Sequence, residues 1–231
     1  MVGSFLKLCK ICSVLLAVTL ALPNAAAAEA ESTEIVVKAQ FTVQKILKDP
    51  DVGPTVRRLM KDAKAVLIFP NVLKAAFFIG GEGGSGVLLA RGANGNWSYP
   101  AFFTLGAASF GIQIGGQSSE VMLLIMTNKG ITSVVDTNVK LGADLSVAAG
   151  PIGVGAEAST TTNLGADIYS FSRNQGAYFG ASFEGAVIGA RDDWNTEYYK
   201  SAEAKPHAII FDGKFANPQA DALRKTLAEL K

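Results

Sequence analysis

The sequence predicts an α+β protein: N-terminal amphipathic helices, a large antiparallel, barrel-like sheet body, and a C-terminal helix. Three observations predict it. Apolar residues recur at helical spacing from Glu34 to Lys64 and again beyond Asn217. Between Ala65 and about Ile188 they come instead as short runs or strict alternation, separated by turn-forming residues. Those runs follow one another too closely for crossover helices, which favours hairpins and antiparallel pairing.

Glu34–Lys48 carries Ile35, Val36, Ala39, Val43, Ile46 and Leu47 on one face and Lys38, Lys45 and Lys48 on the other. Val37 and Phe41 lie beside the lysines. They either widen the buried stripe or stand exposed, as in a helix lying at a membrane surface. Pro54–Lys64 is a second helix, opened by a proline in its first turn. Val56, Leu59, Met60 and Ala63 form its apolar face, opposite Arg57, Arg58, Lys61 and Lys64. The strand region contains "AVLIF", "AAFFI", "GVLLAR", "WSYPAFFTL", "FGIQIGG", "EVMLLIM", "GITSVV", "KLGADLSVA", "ADIYSFS" and "GAYFGASFEG", with Asn128-Lys129-Gly130 among the turns. Leu141-Gly-Ala-Asp144 recurs as Leu164-Gly-Ala-Asp167, which a pair of similar hairpins would explain. After Arg191, "DDWNTEYYK" is helical, "AIIF" a final strand, and Pro218–Leu230 the closing helix.

The first residues form a separate unit. Lys7 and Lys10 precede an apolar stretch from Ile11 to Leu22, and small residues follow. That is the layout of a secretory signal peptide, here residues 1–28, leaving 29–231 as a single domain. The apolar stretch is shorter than the roughly 20 residues of a spanning helix. Export predicts a periplasmic or outer-membrane-associated protein, or a secreted one. Cys9 and Cys12 both lie in the leader, so the mature chain has no cysteine and needs no disulfide. Charge is uneven: basic residues dominate positions 34–91 and acidic ones positions 92–199. Such polarity suits one anionic partner.

The segment "GGEGGSG" from Gly80 to Gly86 has the spacing of a phosphate-binding loop. Val87 and Leu88 stand where lysine and a hydroxyl residue belong, and a strand follows rather than a helix. It is expected to be a glycine-rich connection between strands. His207 is the one histidine, placed in a surface connection, so neither a zinc site nor a Ser-His-Asp triad can be assembled. No cofactor is implied. Glu157, Asp167 and Glu184 are the carboxylates for which hydrolysis would have to be argued; in alternating strands such residues usually face solvent. A near-neutral exported chain with its cations at one end is a poor nucleic-acid binder.

At "AKAVLIFPNVLKAAFFIGGEGGSGVLLAR" the chain resembles the SYLF domain, a family of lipid-binding and, in yeast proteins, actin-binding modules. The likeness continues through "GNWSYPAFF", "FGIQIGG", "LGADLSVAAGPIGVGAEAS" and "YSFSRNQGAYFGASFEGAVI" to "EYYK" and the last helix. With the leader, it is to a secreted, bacterial-type member. The resemblance implies a non-enzymatic module that binds phospholipid, of phosphoinositide or other anionic type, at an envelope membrane surface. It points to Val37, Lys38, Phe41, Lys45, Lys48, Arg57, Arg58, Lys61 and Lys64 as lipid-binding residues. The alternative is a structural protein whose sheet edges pair with a protein partner or with copies of itself.

Overall fold

The computed structural model describes residues 25–76, 79–110, 115–150, 165–174, 177–180 and 183–230. They form six α-helices and one nine-stranded sheet, a mixed α+β architecture. The helices are α1 Ala25–Lys48, α2 Gly53–Met60, α3 Asn128–Asp136, α4 Asp192–Tyr199, α5 Pro206–Ile210 and α6 Asp221–Ala228. The strands are β1 Ala65–Ala76, β2 Ile79–Ala90, β3 Ala101–Phe110, β4 Gly115–Ile125, β5 Val139–Lys140, β6 Val147–Ala149, β7 Ile168–Asn174, β8 Ala177–Gly180 and β9 Val187–Ala190. Their spatial order is β5-β9-β3-β2-β1-β4-β7-β6, with β8 sharing the outer side of β7. Every pairing is antiparallel except β6 with β7.

The sheet is buried on both faces over half its length. Along β1, Val66 and Ile68 face α1, α2, α4 and α6, while Ala65, Leu67 and Phe69 face α3, α5 and β5. This double burial explains why "AVLIF" and "EVMLLIM" are continuous apolar runs instead of alternations. On the first face Phe102 meets Trp194 and Tyr198 edge-on, with centroids 5.9 and 5.0 Å apart.

Several elements differ from the sequence-based expectation. Helix α1 begins at Ala25, upstream of Glu34, because "AAAAEAE" is built of strong helix formers. Helix α2 ends at Met60, short of Lys64: the Lys64 N–H donates to Ile125 O at 2.8 Å, which draws the chain into the sheet. The expected strand "GITSVV" belongs to α3, and Asn128-Lys129-Gly130 is its first turn. Thr127 caps it, its Oγ1 accepting from the Gly130 N–H at 2.9 Å. "AII" is helical in α5, opened by Pro206 at its first position. His207 lies on that helix, with Nδ1 2.8 Å from Asp136 Oδ1, and its side chain is exposed.

The glycines from Gly80 to Gly86 are not a connection; they lie inside β2. The register of β1 shifts between Ile68 and Leu73, around Pro70, which has no N–H to give the ladder. The displaced backbone leaves no room for a side chain at two of these positions: a Cβ on Gly84 would run into Asn71 O and one on Gly86 into Ile68 O.

The repeat Leu-Gly-Ala-Asp is not two equivalent hairpins. Asp144 closes a local turn, Oδ2 accepting from the Lys140 N–H at 2.7 Å. Asp167 joins three elements: it accepts from Thr127 Oγ1 at 2.7 Å and from the Ser146 hydroxyl and N–H at 2.9 and 3.1 Å. Leu164 lies outside the described residues. Burial opposes ionisation of Asp167, but the bonds from Thr127 and Ser146, with the Lys129 charge, outweigh it and hold the carboxyl below the usual range. A depressed folded pKa stabilises above the unfolded value and loses that contribution as pH falls through the folded one. Asp167→Asn is therefore expected to lower stability by about 1–2 kcal/mol at neutral pH. The gap to the wild type should close below pH ~4, measured by urea unfolding across pH.

Candidate functional site

Helix α1 lies against the sheet and three other helices through Val36, Ala39, Val43 and Ile46, all buried. Its opposite side presents Glu34, Val37, Lys38, Phe41, Lys45 and Lys48, spaced by three and four residues and all exposed. Of the two placements open to Val37 and Phe41, the exposed one is found: 42% and 54% of their surface is accessible. A helix this well anchored could hide both; instead it holds a phenyl ring in solvent between lysines.

The cations around that ring are differently engaged. Lys38 pairs with Glu34 one turn earlier on the exposed face. Lys45 Nζ lies 2.6 Å from Glu120 Oε1 on β4, and Glu120 also meets Arg173 at 3.5 Å. This tie fixes α1 to the sheet. Arg57 Nη2 donates to Leu47 O at 2.9 Å, so one of the predicted binding residues works as a cap on the C-terminus of α1. Lys48, Arg58, Lys61 and Lys64 are exposed and, among the described residues, have no acidic partner within ion-pair distance. The nearby acids on these elements are Asp49, Asp51 and Asp62; Asp49 is turned inward to accept from the N–H groups of Asp51 and Val52.

The structure brings Lys38, Phe41 and Lys45 together in an open pocket of ≈ 380 Å³, completed by Thr42, Pro70, Asn71 and Glu120. Arg57, Arg58, Lys61 and Lys64 of the α2 segment do not line it, nor do Val37 and Lys48. Pro70, Asn71 and Glu120 were missed from the sequence. The detectable signal was Phe69-Pro70-Asn71: a proline inside an apolar strand marks a bulge, where backbone and neighbouring side chains are displaced.

Among the described residues, groups for other chemistry are few. No cluster of His, Cys, Asp or Glu among the described residues has the makings of a metal site. Asp167 is committed to its hydrogen bonds, Glu184 is exposed, and Glu157 lies outside the described residues. A second depression of ≈ 350 Å³, between residues 92–99 and the segment joining α5 to α6, contains Arg224. That guanidinium is held by Trp97 O at 3.0 Å and Asp221 at 2.9 Å, and it stacks on Tyr99. No helix among the described residues is long and apolar enough to cross a membrane.

Helices layered on both faces of a mostly antiparallel sheet, with an amphipathic N-terminal helix turned outward, define an α+β module with a cationic, partly apolar surface. Comparison with known proteins places it more closely. Residues 106–230 match the family model Ysc84, described as Las17-binding protein actin regulator, and the chain belongs to that Ysc84/SYLF family. It is 32% identical over 166 residues to LAS seventeen-binding protein 3 of Saccharomyces cerevisiae, covering 70% of this chain and 35% of that protein. An SH3 domain-containing protein of Schizosaccharomyces pombe is 32% identical over 173 residues, covering 73% and 40%. Human SH3 domain-containing YSC84-like protein 1 is 28% identical over 166 residues, covering 71% and 48%. The chain thus spans less than half the length of these relatives. Helices α1 and α2 precede the segment matched by the family model.

Proposed function

We propose that this chain is a non-enzymatic module that docks on anionic phospholipid at a membrane surface of the cell envelope, after removal of an N-terminal leader. One observation carries the reading: Phe41 stands in solvent between Lys38 and Lys45 on a helix whose other side is locked into the core. A ring so placed enters the acyl boundary while its flanking ammonium groups remain with the headgroups. Lys48, Arg58, Lys61 and Lys64 add attraction without having to break ion pairs first, each contributing about 1 kcal/mol near an anionic surface.

The test is sedimentation with vesicles of phosphatidylcholine containing phosphatidylglycerol. Changing Lys48, Arg58, Lys61 and Lys64 together to Gln is expected to weaken binding by roughly tenfold to a hundredfold after screening. Arg57 is left alone because it caps α1. Unchanged sedimentation in low salt removes the proposal. The family description favours a second reading, a protein partner; recovery of a specific cross-linked protein, with vesicle binding absent, would favour it instead.

A further inference from the structure

Among the described residues, four of the five most exposed large apolar side chains lie on one side of the sheet. Val37 and Phe41 are on α1 itself; Leu73 and Val187, 58% and 43% exposed, are on strands. The cross-strand register places those two in a single row. Ser118 of β4 pairs with Leu73 of β1, Leu73 with Gly83 of β2, Gly83 with Gly106 of β3, Gly106 with Val187 of β9, and Val187 with Lys140 of β5. Directly paired residues project to the same face. Leu73 follows Val72, which faces the α3 side, so the row faces the α1 side. The fifth residue, Phe211, follows α5 on the other face.

This row is a trough. Its walls are Leu73 and Val187, three strand spacings or about 14 Å apart. Its floor is Gly83 and Gly106, without side chains. A Cβ built on Gly106 meets nothing within 4 Å. In the next layer on the same face Gly81 pairs with Ala108, so the floor continues small. Gly83 and Gly106 are paired with strands on both sides, so at their level the floor offers an incoming chain no sheet edge to extend. Allowing for the wall side chains, the clear width is about 10 Å, at or below the 10–12 Å of a helix with its side chains. It admits extended hydrocarbon.

We infer that this trough receives acyl chain from an anionic phospholipid whose headgroup lies among the neighbouring lysines. The inference rests on the membrane reading above and extends it from the α1 surface onto the sheet. Ammonium groups stand at both ends, those of Lys38 and Lys45 already paired with Glu34 and Glu120 and that of Lys140 without an acidic partner among the described residues. Lys140 stands beside the Val187 wall, and the pocket holding Lys38 and Lys45 reaches Pro70 and Asn71, just before Leu73. Leu73, Val187 and Gly106 thereby become determinants of salt-resistant binding, whereas the exposed lysines set the salt-sensitive part.

Gly106→Val fills the trough at a position with room for the side chain, so thermal melting should remain near that of the wild type. Full-length processed protein is sedimented with the same phosphatidylcholine–phosphatidylglycerol vesicles in low salt and in about 1 M salt, where the Debye length is about 3 Å. Gly106→Val and the double variant Leu73→Ser/Val187→Ser are expected to lose about tenfold in the high-salt binding. The Gln variants should lose chiefly the low-salt increment. If Gly106→Val binds as the wild type does at high salt while the Gln variants still fail at low salt, the trough assignment is overturned and the headgroup reading stands. If neither set changes binding, both fall. A dimer in light scattering that Gly106→Val dissolves would assign the trough to a second copy and overturn the lipid assignment.

Discussion

Gly86→Val is expected to yield no stably folded protein, whereas Gly106→Val, twenty residues further on, should be tolerated. Both glycines are in strand interiors, and both would be given the same β-branched side chain. What differs is the neighbouring strand. A Cβ on Gly86 would run into Ile68 O and approach the Phe69 ring to 2.5 Å, and neither can retreat, since both residues are fully buried. The backbone of β1 is fixed from its other side by pairing with β4. Forcing bulk between two paired strands costs at least about 3–5 kcal/mol, a large part of the 5–15 kcal/mol that typically holds a domain together. Gly106 meets nothing, and valine there gains the β-propensity that glycine lacks, up to about 1 kcal/mol. Soluble yield and urea midpoints measure the contrast. Equal loss in both variants would show that glycine is required for backbone freedom throughout the sheet, not for close approach at one bulge.

The fold class was legible because double burial and helical periodicity are both local patterns. Val36, Ala39, Val43 and Ile46 recur at helix spacing, and the continuous run Ala65–Phe69 announces a strand covered on both sides. The α3 error has a comparably local cause. Ile131, Val134 and Val135 have strand-forming side chains, but their spacing is that of a helix face, and Thr127 supplies the cap; period prevails over composition. The glycine stretch was beyond local reading. That Gly84 and Gly86 are needed follows from the bulge at Pro70, and the opposed residues become known only with the register.

The candidate site divides along the same line. Val37, Lys38, Phe41, Lys45 and Lys48 share a helix, so their common face was visible in the sequence. Arg57 is exposed like the other cations of the α2 segment, yet its role is decided by Leu47 O, ten residues away. Glu120 and the trough could not be found this way. Leu73, Gly83, Gly106 and Val187 are brought level by three strand pairings, and a shift of one residue in any pairing would turn the side chains beyond it to the opposite face.

The same dependence on pairing predicts a second large loss, at Asn195. Strand β9 pairs with β3 only from Phe103 to Gly106. At Phe102 the Arg191 N–H still reaches the carbonyl at 2.8 Å, but no strand partner on that side accepts from the Phe102 N–H. The side chain of Asn195 on α4 takes over: its Oδ1 accepts from Phe102 N at 2.8 Å, and Nδ2 approaches Phe102 O at 3.4 Å. Asn195 is fully buried, so water cannot readily replace it. Asn195→Leu keeps the branching of the side chain, though its methyl groups are bulkier, and removes both bonds, leaving a buried donor unsatisfied. The expected cost is about 2–4 kcal/mol from the lost bond and the stranded N–H together. Asn195→Asp retains the acceptor but places a carboxylate in the core facing a carbonyl; burial should raise its folded pKa. Stability of that variant is therefore highest below the unfolded carboxylate value near 4 and declines as pH rises through the raised folded pKa. Urea unfolding of the Leu variant at neutral pH, and of the Asp variant from acid to neutral pH, measures both effects. A Leu variant within 1 kcal/mol of the wild type would show that the end of β3 can find another partner when α4 no longer supplies one.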